Sequence, residues 1–229
     1  MKKLLTYFTK GEILLWGLST GLILLFFLLF DRENYLTLAA SLLGAAALIF
    51  TAKGNPFGQF LMILFGILYG IISWGFAYYG EMITYLGMTA PMALFALIAW
   101  MKNPYKGNRA QVKVNRLTGR EVVWMLLLTA VVTFVFYLIL AFFNTANLAP
   151  STLSVSTSFI AVYLTFRRSP YYALAYAAND LVLILLWVLA SFEDVSYLSV
   201  TVCFVMFLAN DLYGFYNWRK MEKQQAAGK

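Results

Sequence analysis

Histidine is absent from the 229 residues, cysteine occurs once, and only 12% of the chain is charged. Without histidine there is no Ser-His-Asp or Cys-His nucleophile and no His-ligated zinc site. A lone Cys203 forms no disulfide within the chain, and in "VTVCFVMFL" it reads as a small buried hydrophobe. Scarce charge excludes more. Soluble domains carry about 25% charged residues and about 45–50% apolar ones, whereas this chain is 62% hydrophobic and 18% aromatic. It would lack a polar surface in water, so the class is an integral membrane protein. The net charge of +7 therefore does not indicate nucleic acid, because basic residues of membrane proteins gather in cytoplasmic loops. Carboxylates, amides, hydroxyls and aromatic rings remain for chemistry, and no cofactor is implied.

What is present is long apolar runs, each near the ~17–25 residues that cross a bilayer. They lie at 12–30, 35–52, 57–79, 82–101, 121–143, 150–166, 170–190 and 195–217. The first is too long for a signal peptide, and no small-residue cleavage site follows "LLFFLLFDREN". Eight segments put both termini on one side. Sixteen of the seventeen basic residues fall there, with Arg32 alone opposite. Asp31, Glu33, Glu81, Glu193 and Asp194 occupy the opposite loops. This bias predicts cytoplasmic termini. The loop "KNPYKGNRAQVKVNRLTGR" (102–120) is too short for a domain and reads as a solvated retention signal, with a partner or lipid headgroup site as the lesser alternative.

An internal repeat is visible. With Pro56 set against Pro170, Trp74 falls opposite Trp187, Glu81 opposite Glu193, Tyr85-Leu86 opposite Tyr197-Leu198, and Trp100 opposite Trp218. Each unit is three helices, and the single helix between them makes the two triplets parallel, an architecture known among secondary transporters. The expected division is an extra helix over 1–34, a first triplet over 35–101, a basic loop and linker helix over 102–149, a second triplet over 150–218 and a tail over 219–229. Gly66 and Gly70 have the small-xxx-small spacing of closely packed helices. Pro91 breaks a backbone hydrogen bond in mid-helix and is an expected bend, either an element of gating or an inert kink.

Two Asn-Asp pairs stand in apolar surroundings: Asn179-Asp180 in "YYALAYAANDLVLILLW" and Asn210-Asp211 in "FLANDLYGFYNW". At about 1.5 Å per residue, Asn179 lies roughly 16 Å from Arg168 and Asn210 roughly 13 Å from Arg219. Half of a ~30 Å hydrocarbon core is ~15 Å, so both pairs sit at the midplane. An ionised Asp there costs at least ~2.5–3.5 kcal/mol and must face protein or a watery cavity. Polar glue between helices would account for one pair; two at one depth, among Tyr172, Tyr176, Tyr213 and Trp187, predict a site for a small, flat, hydroxylated molecule. Neighbours on a helix point about 100° apart, so one member of each pair is expected to line the cavity. The first triplet has Phe65-Gly66 and Pro91-Met92 at the matching places, which concentrates recognition in the second.

The three-one-three plan with an extra first helix, together with "LYGIISW", "YYGEMITYLGM" and "NDLYGFYNW", resembles the PnuC family of bacterial vitamin transporters, related in fold to SWEET sugar transporters. The resemblance implies movement of nicotinamide riboside by facilitated diffusion across the inner membrane, with trapping by a cytoplasmic kinase; relatives handle thiamine and riboflavin. It also implies asparagine and tryptophan ligands on the seventh and eighth segments. Asn179 and Asn210 match the asparagines, but Tyr172 and Ala175 stand where the family has a Trp-rich start. Asp180 and Asp211 suit a cation, and the pyridinium of nicotinamide riboside is one that aromatic faces also attract; thiamine shares that property. The expected partners are the bilayer and the vitamin, with no nucleic acid; a homo-oligomer is compatible with the sequence and not required by it. An intramembrane aspartyl protease would also need two neighbouring Asp residues, but its usual Gly-x-Gly-Asp is missing, since both aspartates follow Ala-Asn. A binding subunit of a larger importer would usually have six helices and no three-helix repeat.

Overall fold

A computed structural model describes residues 7–75, 79–145 and 147–228. Eight of its helical segments are long and apolar enough to cross a membrane. The first is α1 (Lys10–Phe30), opened by a capping box in which Thr9 and Glu12 satisfy each other's backbone N–H groups. The first triplet is α2 (Tyr35–Ala52), α3 (Phe57–Gly75) and a composite third span. That span joins α4 (Tyr79–Thr84), a π-helical turn (Tyr85–Thr89) and α5 (Ala90–Met101). A two-stranded hairpin, β1 (Pro104–Tyr105) and β2 (Asn108–Val112), leads to the linker α6 (Gly119–Phe142), capped like α1 by Thr118 and Glu121. The second triplet is α7 (Leu148–Phe166), α8 (Tyr172–Ser191) and α9 (Leu198–Ala227).

Both triplets start at the end of the molecule that carries the acidic loops, so they run parallel. Contacts between them are reciprocal: α9 packs on α2, and α5 packs on α7. First helix meets third helix in each direction, as a pseudo-twofold axis along the membrane normal requires. The linker α6 packs on α7 and turns Trp124, Val131 and Phe134 outward, where lipid is their natural solvent.

The bend expected at Pro91 takes another form. Proline has no N–H to offer the preceding turn, and the helix absorbs the loss by widening: Ala90 N–H reaches back to the Tyr85 carbonyl. Such π turns recur at functional sites, and here the turn presents Tyr85 to the interior cavity. Close packing at the two glycines holds as expected. A Cβ on Gly66 would lie 3.2 Å from the Ala90 side chain, and one on Gly70 would collide with Leu86 at 2.5 Å.

The extra helix α1 is fastened to both triplets by polar contacts. Glu12, 2% exposed, pairs with Lys53 at 2.8 Å and accepts a hydrogen bond from the Tyr213 hydroxyl at 2.8 Å. Lys53 belongs to the turn after α2 and Tyr213 to α9, so one carboxylate ties three elements together. The loop 102–120, expected to be solvated, keeps Lys106, Arg109 and Lys113 exposed but docks around Val112: that residue is completely buried, and Gln225 of α9 holds the Val112 carbonyl and the Val114 N–H.

Candidate functional site

A cavity of about 600 Å³ opens between the triplets. It runs from the acidic end, at Asn144, Asn147 and Glu193, inward to Tyr176, Val162 and Asp211. Helices α7 and α8 of the second triplet supply the largest share of its polar wall, and α9 adds Asp211; α3 and the π turn supply Phe65 and Tyr85. The rings of Tyr85 and Tyr69 lie 4.4 Å apart, and Phe65 meets Tyr85 edge-on at 5.9 Å.

Asn179 is built into this wall. Its Oδ1 accepts from Thr157 at 2.8 Å, Ser158 at 3.0 Å and Ser154 at 3.1 Å. Three hydroxyls saturate the carbonyl oxygen and fix the amide, so its Nδ2 donors remain for whatever occupies the cavity. The hydroxyls come from α7, where Ser151, Ser154 and Ser158 recur at helical spacing on one face. That stripe in "STLSVSTSF" was readable in the sequence and marks the wall as plainly as the Asn-Asp pairs do.

Asp180 also faces the cavity, 4% exposed, with its Oδ2 unpartnered. The Asp211 carboxyl lies within hydrogen-bonding reach of it. Glu81 and Glu193 complete the acidic lining, and among the described residues no Lys or Arg joins them. These two glutamates are repeat equivalents, from opposite triplets, converging on one space. The repeat alignment pairs them, and each stands at a loop edge in the sequence. A smaller pocket of about 90 Å³ shares Glu81 and Trp187 and adds Asp31 and Asp194 at the acidic end. The Ser196 backbone N–H holds Asp194 below the usual carboxylate range, so it is charged at neutral pH. Carboxyl groups therefore extend from the rim to the floor.

Five of the eight residues singled out in the sequence line the cavity: Asn179, Asp180, Asp211, Tyr176 and Trp187. Three do not. Asn210 turns away from it and donates to Ser19 Oγ of α1 at 2.9 Å and to the Met206 carbonyl at 2.7 Å. Tyr213 is engaged with Glu12. Tyr172, 1% exposed, stacks edge-on against Trp218 at 5.0 Å, deeper toward the basic end. The expectation of one lining member per pair holds for the second pair, through Asp211; in the first pair both members line. The repeat match of Trp74 with Trp187 is also not one of environment, since Trp74 is 63% exposed and Trp187 7%.

Asn210 thus has the geometry of polar glue. Asn210→Ala is expected to lower stability by about 0.5–1.5 kcal/mol in a thermal-unfolding assay and to leave ligand affinity per folded molecule within twofold of the parent. A tenfold loss of affinity at unchanged stability would return Asn210 to the ligand set.

Eight spans in two parallel triplets around a midplane cavity define a membrane transporter. A family model described as nicotinamide mononucleotide transporter matches residues 34–220. The chain belongs to that family. It is 29% identical over 204 residues to the nicotinamide riboside transporter PnuC of Neisseria mucosa, covering 86% of this chain and 76% of that one. It is 22% identical over 193 residues to the nicotinamide riboside transporter PnuC of Haemophilus influenzae, covering 84% and 82%. Its fold matches a crystal structure of the vitamin B3 transporter PnuC with a TM-score of 0.82 at 25% identity, over 95% of this chain and 94% of that one. These relatives are transporters, not enzymes, which sets the aspartyl protease reading aside.

Proposed function

We propose that this chain moves nicotinamide riboside across a bacterial inner membrane, down its gradient, with both termini in the cytoplasm and with phosphorylation by a cytoplasmic kinase trapping the cargo. One observation carries the choice of cargo: four carboxyls and no basic side chain among the described residues line a cavity that also presents an unspent amide donor. A pyridinium is a permanent cation, and an opposite charge brought close to buried carboxyls favours their ionised form, so such a ligand and this lining stabilise each other. Aromatic walls add cation–π attraction of about 0.5–2 kcal/mol. The mononucleotide in the family's description carries a phosphate in addition, and nothing in this lining would neutralise it; the charge pattern favours the riboside. Asn179 Nδ2 is then the donor for a ribose hydroxyl or the carboxamide oxygen. The named substrate of the two curated relatives supports the same choice.

The orientation rests on sixteen of seventeen basic residues lying at the end of the termini. With that end inside, the cavity is open outward. Proteoliposomes loaded with buffer should take up labelled nicotinamide riboside to equal inner and outer concentration and no further, with sodium or proton ionophores making no difference. Accumulation above equilibrium that an ionophore abolishes would contradict downhill transport and assign a coupling proton to the Asp180–Asp211 pair. Thiamine, cationic and aromatic, is the competitor the same charge pattern admits; it should displace the riboside at least tenfold less well.

A further inference from the structure

Between the cavity floor and the basic end the two triplets are locked by a pair of matched hydrogen bonds. Trp100, ending the first triplet, donates its indole N–H to the Thr165 carbonyl of the second at 2.8 Å. Trp218, ending the second, donates to the Thr51 carbonyl of the first at 2.9 Å. Thr51 and Thr165 each precede their triplet's proline, Pro56 or Pro170, by five residues, so the exchange is symmetric. Both indoles are completely buried, with ring centres 5.2 Å apart. Tyr172 continues the stack upward toward Tyr176, which lines the cavity at its floor.

A length of backbone is drawn across the same end. Val112 N–H bonds the Gly54 carbonyl at 2.9 Å, and Asn115 N–H bonds the Arg168 carbonyl at 3.0 Å. Gly54 and Arg168 are again equivalents, each two residues before its triplet's proline and each left-handed, at φ 68° and 58°. The strap thus grips one turn from each triplet, with only Lys113 and Val114 between the grips. Three residues span at most about 10–11 Å when fully extended, so the triplets cannot part here while both grips hold. Gln225 and the Arg116–Glu222 ion pair fasten the strap to α9. The grip on Gly54 is therefore the one that yields when the triplets separate.

We propose that the exchanged indole bonds of Trp100 and Trp218, backed by the 112–115 strap, are the cytoplasmic gate of this transporter, and that cargo leaves only when both indole bonds and the Gly54 grip break together. This holds whichever small molecule the cavity carries. The test is amide hydrogen exchange of the full chain in lipid nanodiscs without cargo. Trp100→Phe and Trp218→Phe keep a buried ring and remove the N–H; Gln225→Ala loosens the strap at a distance from the indoles. Each should speed exchange in peptides covering 112–115 at least tenfold and leave peptides of α6 within twofold of wild type. Unchanged exchange in 112–115 overturns the gate, and so does equal acceleration in α6, which would mean a merely structural role.

Discussion

Replacing Asn179 by alanine is expected to weaken riboside binding by about 1–3 kcal/mol, the cost of leaving a ligand polar group unpaired in a dry site. That is about fivefold to more than a hundredfold in Kd. The fold should lose far less. Thr157 already shares its hydroxyl with the Leu153 and Ser154 carbonyls, and serines within a helix can turn back to the carbonyl four residues earlier. Titration calorimetry beside thermal unfolding separates the two effects. A variant with parental affinity would remove Asn179 from the site; one with lower stability and parental affinity would make it a structural anchor for α7 against α8.

The isosteric change Asp180→Asn should cost about 1.5–3 kcal/mol of affinity, because it removes a charge-assisted interaction and keeps the shape. Stability should hold or rise. Asp180 lies beside Asp211, and among the described residues no basic side chain lines the space around them, so an amide at 180 removes the cost of ionising a carboxyl in a buried site without a cationic partner. A structural aspartate behaves in the opposite way, losing stability when it becomes an amide. Increased thermal stability with weakened binding is the signature of a group held in place for cargo.

Much of this was legible in the sequence, and what was not has physical causes. The span count followed from charge: a helix too many or too few would have scattered the basic loops over both sides. The repeat followed from residues that apolar drift does not reproduce, such as Pro56 and Pro170. The direction of Asn210 could not be read, because it depends on Ser19, 191 residues away on a helix outside both triplets. One residue is about 100° of helix rotation, so that partner decides whether Asn210 or Asp211 sees the cavity. The strap was hidden for a similar reason. Its anchors are backbone carbonyls of two left-handed turns, and carbonyls leave no trace in residue identity. Glu81 and Glu193 were in view but stood at loop edges, where an acidic residue ordinarily meets water; only the closure of two triplets around one space turns them inward.

On the function proposed above, this cavity reads positive charge on a flat ring. Reduction of nicotinamide riboside to its dihydro form keeps the ribose, the carboxamide and nearly the same outline while removing the charge. Direct binding of both forms to the purified protein, at one pH and one ionic strength, isolates the charge term. The oxidised cation is expected to bind at least tenfold more tightly, with the ratio falling toward one in Asp180→Asn combined with Asp211→Asn. Equal affinity of the wild-type protein for the two forms would contradict it.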